Sequence, residues 1–335
     1  MHSGRTYKLG EFLFWTRRSI GWPLFMSALA VVLYHLSNLR WLGIPFTIIG
    51  LLGTAAVFII TFRNQETYNR TWEARKIWGA AMSASRSWAM MCKDFLDNGD
   101  KTKELVYRHL AWLTALRYQL RAPRKWENLV NEYNTEYTRN YSIPEKETPV
   151  EKELAKYISQ VDLHSISTAA NKATQLLGLQ SEALKKLRHE GLLDEFRFLD
   201  MHNAIREFAD HQGRSERIKN FPYPRQYATI NSIFVRLFSI LLPFGLLDEF
   251  DKLNISVTGA LHGQMVWFVI PFSVLISWVF TSLEQVGEST ENPFEGSAND
   301  VPITQMSRAV EIDIKEMLRE TDIPQPIHPK NDIVL

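Results

Sequence analysis

The sequence predicts an all-α membrane protein with four transmembrane helices and a helical cytoplasmic domain. Three apolar runs lack Asp, Glu, Lys and Arg: residues 19–39, 41–62 and 253–283. Each is long enough to span a bilayer as a helix, which takes about 20 residues. A fourth run, residues 230–247, is interrupted only by Arg236. If this run spans the bilayer, Arg236 must face protein, water or lipid headgroups.

The apolar runs divide the chain into four parts. Residues 1–62 hold the N-terminal tail and the first two spans, and residues 63–228 form a helical cytoplasmic region. Residues 229–283 hold the third and fourth spans, and residues 284–335 form a cytoplasmic tail with one helix and a Pro-rich end. Within the cytoplasmic region, "KTKELVYRHLAWLTALRYQLR" repeats apolar residues at helical spacing. A polar stretch with three prolines, residues 121–149, predicts a connecting loop.

Basic residues predict the orientation of the spans. The N-terminal tail and the start of the cytoplasmic region are rich in Arg and Lys, whereas the two links between paired spans carry little positive charge. The positive-inside rule therefore places both termini and residues 63–228 in the cytoplasm. We expect a multi-pass integral membrane protein, in a bacterial inner membrane.

Motifs of enzyme chemistry are not found in the sequence. The chain has no HExxH, GxSxG, Walker A or Cys-based metal motif, and its nine histidines are scattered. With a single cysteine it forms no intrachain disulfide, and a net charge of +1 does not indicate nucleic-acid binding. We predict a protein that is not an enzyme and has no cofactor or metal.

One face of the second span carries a row of residues four apart: Thr54, Phe58 and Phe62. Residues at this spacing lie on the same side of a helix. Such an aromatic row in a membrane helix faces lipid, packs against a neighbouring helix or lines a pore, and spacing alone leaves these alternatives open.

The polar segment that follows, "FRNQETYNRTWEARKIWG", resembles the signature of the bestrophin family of ion channels. Bacterial members carry an FRNN…Y-x-R-W-W-E-A-R-x-x-W-G pattern after their second membrane helix, from which Gln65 and Thr71 depart. Further similar segments follow in the same order: "RHLAWLTALRYQLR", "GRSERIKNFPYP", "LLPFGL" and "ENPFEGSANDVPI". The resemblance covers roughly residues 5 to 315.

The resemblance implies a homopentamer around one central pore, with a hydrophobic neck and a cytosolic aperture. Carried over by position, Thr54, Phe58 and Phe62 form the neck, and Leu199 forms the aperture. Thr54 departs from the apolar residue usual at the outermost neck position. Animal members bind calcium through an acidic run after the NPFG turn, where this chain offers only Glu295 and Asp300 as weak candidates.

These observations predict a channel that passes monovalent ions passively. The acidic outer turn with Asp248, Glu249 and Asp251 favours cations at the pore mouth, so sodium or potassium is the first expectation. The alternatives are an anion (chloride) channel of the same architecture, a secondary transporter, and a membrane-anchored structural or signalling protein. The expected partners are the permeant ions, membrane lipid and four further copies of the chain, with no nucleic acid.

Overall fold

The computed structural model describes residues 1–37 and 39–335, and of Val130 and Ala260 only the backbone. The described residues form helices, turns and two isolated β-bridges near the chain ends, without a strand. Asn38, in the first predicted span, lies outside the described residues. The α-helices are α1 Leu9–Thr16, α2 Arg18–His35, α3 Phe46–Phe95, α4 Gly99–Arg121, α5 Glu132–Tyr137, α6 Pro144–Glu147, α7 Val150–Leu154, α8 Gln160–Ile166, α9 Lys172–His189, α10 Glu195–Asn220, α11 Arg225–Lys252, α12 Val269–Ser289 and α13 Ile303–Met317.

Helix α3 is the longest element, with 50 residues and a length of about 75 Å at a rise of about 1.5 Å per residue. It begins after Pro45, whose fixed φ suits a helix start, and it contains no proline. Its first half is apolar and its second half polar, without a break at the change. The predicted boundary between residues 62 and 63 therefore lies inside one continuous helix.

Three described helical segments are long and apolar enough to cross a membrane by length and composition: Arg40–Phe95, Arg225–Ile255 and Met265–Ser289. Helix α2, the first predicted span, is not among them, but it packs against both α11 and α12. Two glycines bring the spanning helices together. A Cβ on Gly53 would lie 2.8 Å from the Phe238 ring, and one on Gly245 would lie 2.6 Å from Ile49.

The start of the last span differs from the prediction of residues 253–283. Residues 253–268 contain three short 3₁₀ helices instead. Gly259, which begins the second of them, and Gly263, between the second and the third, have positive φ. Glycine adopts this left-handed backbone at little cost, so the chain turns repeatedly here before α12 begins. Because this segment carries no charged residue, its hydropathy did not predict the turns.

The helices outside the apolar spans have their own core, formed by the second half of α3 with α4, α9, α10 and α13. Trp78, Trp88, Trp112 and Phe208 are fully buried there, and Cys92 is a buried free thiol. The stretch predicted as a loop contains the short helices α5 and α6. Isolated helices of this length are marginal, so local sequence does not predict them and tertiary packing must hold them.

Candidate functional site

The face of α3 that carries Thr54, Phe58 and Phe62 is exposed. Phe58 is 72% exposed and Phe62 54%, whereas Ile49 and Ile60 on the opposite face are buried. Consecutive members of the row are about 6 Å apart along the axis, so the three positions extend over about 12 Å. The spanning helices pack mainly on the other side, although the Phe62 ring lies 6.0 Å from the Tyr227 ring of α11. Most of this face is therefore free to contact water, lipid or another chain.

Thr54 is less polar in the structure than its side chain suggests. Its hydroxyl Oγ1 donates to the carbonyl oxygen of Gly50 on the same helix, at 2.9 Å. This bond satisfies the only donor of the side chain, so the methyl group and the oxygen lone pairs remain for the exposed face.

Beyond Phe62 the exposed face becomes polar and aromatic. Gln65 Nε2 donates to Asn69 Oδ1 at 3.1 Å, and the rings of Tyr68 and Trp72 are stacked with centroids 6.3 Å apart. The change from apolar to polar surface thus occurs within one turn of a rigid helix.

The opposite face of α3 holds a buried charge at the same level. Arg63 is 3% exposed, and its Nη2 donates to Glu291 Oε2 at 3.0 Å. Carboxylate oxygens of Glu284 and Glu288 lie 4.0 Å from the guanidinium, and Arg225 contacts the other oxygen of Glu291 at 2.8 Å. Two guanidinium groups therefore compensate the fully buried Glu291.

Neighbouring polar residues fasten α3 to the end of α12. Asn64 Nδ2 donates to the carbonyl of Leu283 at 3.1 Å, and a Cβ on Gly287 would overlap Asn64 Oδ1. Arg70 donates to the carbonyls of Glu291 and Ile218 at 3.1 and 3.0 Å. The signature segment thus joins α3 to the turn after α12 and to α10. Glu291 lies 228 residues from Arg63, so the sequence did not reveal this network, although Arg63 belongs to the motif.

Leu199, predicted at the aperture, lies near the N-terminal end of α10 and is 48% exposed. Phe196, one turn earlier, is 82% exposed, and Met201 on the other face is buried. Phe196 was not predicted from the sequence, although an apolar residue three positions before Leu199 was a signal for it. These two residues lie in α10, outside the apolar spans, and are separate from the Thr54–Phe62 row.

The two weak calcium candidates are buried in the turn before α13. Asp300 Oδ2 accepts hydrogen bonds from the Gly296 amide at 2.7 Å and from Arg121 Nη1 at 3.1 Å, and Oδ1 accepts from Ser297. Glu295 Oε2 accepts from the Asn128 amide at 2.9 Å. Burial, together with the Asp300 charge, raises the pKa of Glu295 well above its usual value. A carboxyl whose charged form is disfavoured by burial and a carboxylate held by arginine are poor calcium ligands, and the described residues contain no group of three side chains that could hold a metal ion.

The fold and these contacts define a helical integral membrane protein built around one long helix with an exposed apolar row. Residues 22–316 match the family model for the bacterial and fungal bestrophin protein, and the chain belongs to that family. This membership confirms the predicted family and the prediction that the chain is an ion-channel protein and not an enzyme.

Individual relatives agree with this assignment. The chain is 30% identical over 308 residues to the voltage-dependent anion channel-forming protein YneE of Escherichia coli K12, covering 91% of this chain and 88% of that protein. It is 26% identical over 286 residues to the voltage-dependent anion channel-forming protein mll4386 of Mesorhizobium japonicum, covering 84% and 79%. The crystal structure of a bacterial bestrophin homologue from Klebsiella pneumoniae superimposes with a TM-score of 0.75 at 24% identity, covering 93% of this chain and 99% of that one.

Proposed function

We propose that the chain is one subunit of a homopentameric channel that conducts monovalent ions passively along a central pathway. The observation that carries this proposal is the exposed apolar row of α3, which ends where the helix becomes polar. Five copies of that row would form a ring-lined neck, followed by a wider polar vestibule. An apolar neck restricts ions because a dehydrated ion finds no replacement for its water.

In this arrangement Thr54, Phe58 and Phe62 form the neck and Leu199 the cytosolic aperture. Phe196, exposed one turn before Leu199, would narrow the same aperture. Helix α2 completes the set of four spans beside α11 and α12. Both termini and the soluble helices are then on the cytoplasmic side of a bacterial inner membrane, as the basic residues predict.

We propose anions, with chloride as the representative, as the conducted species, in place of the cations first expected. The expectation of cations rested on the acidic turn, whose charges have partners in the structure. The Tyr34 hydroxyl donates to Asp248 at 2.9 Å and to Asp251 at 3.2 Å, and Lys252 Nζ lies 2.7 Å from Glu249. Arg40 lies 3.7 Å from Asp251. This turn therefore offers less free negative charge than its sequence suggests, and the curated relatives carry names that state anion channel formation.

A secondary transporter is the competing function. Such proteins place substrate sites at helices that are broken near the middle of the membrane. Here α3 and α11 are continuous through their apolar parts, α11 even at Pro243, and Pro45 and Pro271 lie at helix starts. The described helices thus favour a channel.

One experiment tests both the activity and the permeant ion. We expect the purified chain to give unitary currents in planar bilayers, with a reversal potential in a sodium chloride gradient that has the sign of chloride. The opposite sign would restore cation selectivity, and flux that saturates without unitary currents would support the transporter. Native mass spectrometry of the same sample should give the mass of five subunits.

A further inference from the structure

A cavity of about 560 Å³ opens between α2, α11 and α12, where these helices meet the soluble part of the chain. Arg18 and Trp22 of α2 line it, together with Arg236 of α11 and with Glu284 and Glu288 of α12. Tyr133 from the soluble helix α5 also lines it, which places the cavity at one end of the spans. Its size is in the range of small-ligand sites, which is about 300–1,000 Å³.

Arg236 is the unusual member of this cavity. It lies inside an apolar span and is exposed. Its charge acts on Glu284 across the cavity, but the described residues give it no hydrogen bond and no ion pair within 4.0 Å. A charged side chain in a span is costly unless it reaches a partner or the polar headgroups. The cavity wall also carries the buried hydroxyl of Ser239 and the side-chain oxygen of Gln285, and neither has a hydrogen-bond partner in the described chain.

The other charged groups of the cavity already have partners, and the charges of the whole lining, Arg236 included, sum to zero. Arg18 pairs with Glu132 and with Glu136, the latter at 2.8 Å. Glu284 accepts from Asn231 Nδ2 at 3.2 Å, Glu288 accepts from the Tyr133 hydroxyl, and both lie 4.0 Å from Arg63. A purely anionic ligand would meet Arg236 but also the two carboxylates. A ligand with a phosphate and a primary ammonium would place the phosphate at Arg236 and the ammonium at the two carboxylates.

We propose that this cavity binds the headgroup of a phosphoethanolamine lipid. The phosphate contacts Arg236, and the ammonium donates to Glu284 and Glu288. The lipid form, rather than free phosphoethanolamine, follows from Trp22, which lines the cavity and is 56% exposed near the start of α2. Tryptophan is enriched at membrane–water interfaces, and an exposed tryptophan beside the cavity suits a ligand that carries acyl chains. The acyl chains then leave the cavity along the outer surface of the spans. This site requires only that the chain lies in a bilayer and is independent of conduction.

Lipid retention tests the proposal directly. The purified chain is incubated in mild detergent with phosphatidylethanolamine, phosphatidylglycerol or phosphatidylcholine of identical acyl chains, and bound lipid per subunit is counted by native mass spectrometry. We expect phosphatidylethanolamine to be retained about tenfold more than the other two, which is about 1.4 kcal/mol. Phosphatidylglycerol lacks the cation, and the quaternary ammonium of phosphatidylcholine has no N–H to donate. Soluble phosphoethanolamine should not displace the lipid.

Matched variants locate the site. Arg236→Gln should lower retention of all phosphate headgroups about tenfold, whereas Lys252→Gln, at the far end of the same helix, should leave it unchanged. Glu284→Gln should reduce the preference for phosphatidylethanolamine over phosphatidylglycerol and thus tests the site without the arginine change. Equal retention of the three lipids, unchanged retention by Arg236→Gln, or displacement by the soluble headgroup would overturn the proposal.

Discussion

Truncation of Phe58 to alanine should change conduction without unfolding the protein. The side chain is 72% exposed in the single chain, so only about a quarter of its surface packs against protein. A fully buried Phe→Ala change costs about 3–5 kcal/mol, and scaling by the packed fraction gives about 1 kcal/mol here. Truncation of this ring in all five subunits would widen the proposed neck and admit water. A passing ion would then keep more of its hydration, so its energy barrier would fall.

Loss of an ion's hydration costs several kcal/mol, so even partial rehydration is a large effect. If Phe58→Ala lowers the barrier by about 1.4 kcal/mol, the ion current rises about tenfold. The assay is single-channel recording in planar bilayers, with amplitude and open probability measured separately for Phe58→Ala and Phe62→Ala. Phe25→Ala, the same change on α2 at a residue that is 57% exposed, is the control. Unchanged currents in both neck variants, or an equal rise in the control, would refute the assignment of the neck.

Two further predictions concern stability. Arg63→Met should lower the free energy of unfolding by about 1.5–3 kcal/mol, the range for a hydrogen bond to a charged group, because buried Glu291 loses its 3.0 Å partner but keeps Arg225 at 2.8 Å. Tryptophan fluorescence during thermal unfolding in detergent measures this loss. A loss no larger than that of the exposed-pair variant Glu182→Gln would contradict the prediction. His109 in α4 is fully buried, and burial lowers its pKa from 6.5 to about 3. The stability that the neutral, buried imidazole contributes is therefore complete above pH 6.5 and is lost as the pH falls towards 3. At pH 5 the free energy of unfolding should be lower by about 2 kcal/mol for this reason. His109→Gln should remove this part of the acid sensitivity, and an unchanged pH profile of unfolding would show that another group is responsible.

The sequence predicts the features that depend on the helical spacing of nearby residues and on local composition. The row Thr54, Phe58 and Phe62 was found because helical spacing fixes which residues share a face, and the structure has these residues on one exposed face of α3. Only the pore-lining role needed the family resemblance, since exposure to lipid and exposure to a pore give the same pattern in one chain.

What the sequence did not predict depends on contacts between distant residues. The ion pair of Arg63 with Glu291 joins residues that are 228 positions apart, and the cavity around Arg236 is formed by three separate helices and α5. The turns within residues 253–268 were missed for a local reason: glycine turns with apolar neighbours have the same hydropathy as a span. The charges of the outer turn were visible, but their partners Tyr34 and Arg40 were not, so their effect on ions was overestimated.

The position of the Arg63 network explains why α3 changes abruptly from apolar to polar after Phe62. The exposed rings of the proposed neck have little packing within the chain, the contact of Phe62 with Tyr227 apart, so the geometry of the neck depends on the other side of the helix. Arg63 follows Phe62 directly and points to the buried face, where Glu291 accepts its hydrogen bond, and Asn64 holds the carbonyl of Leu283 one residue later. The polar residues therefore begin where the proposed neck ends because α3 is fastened there to α12 and to the turn that follows. A shift of that turn would tilt α3 at Phe62, and the neck would change width without any change in the residues that line it.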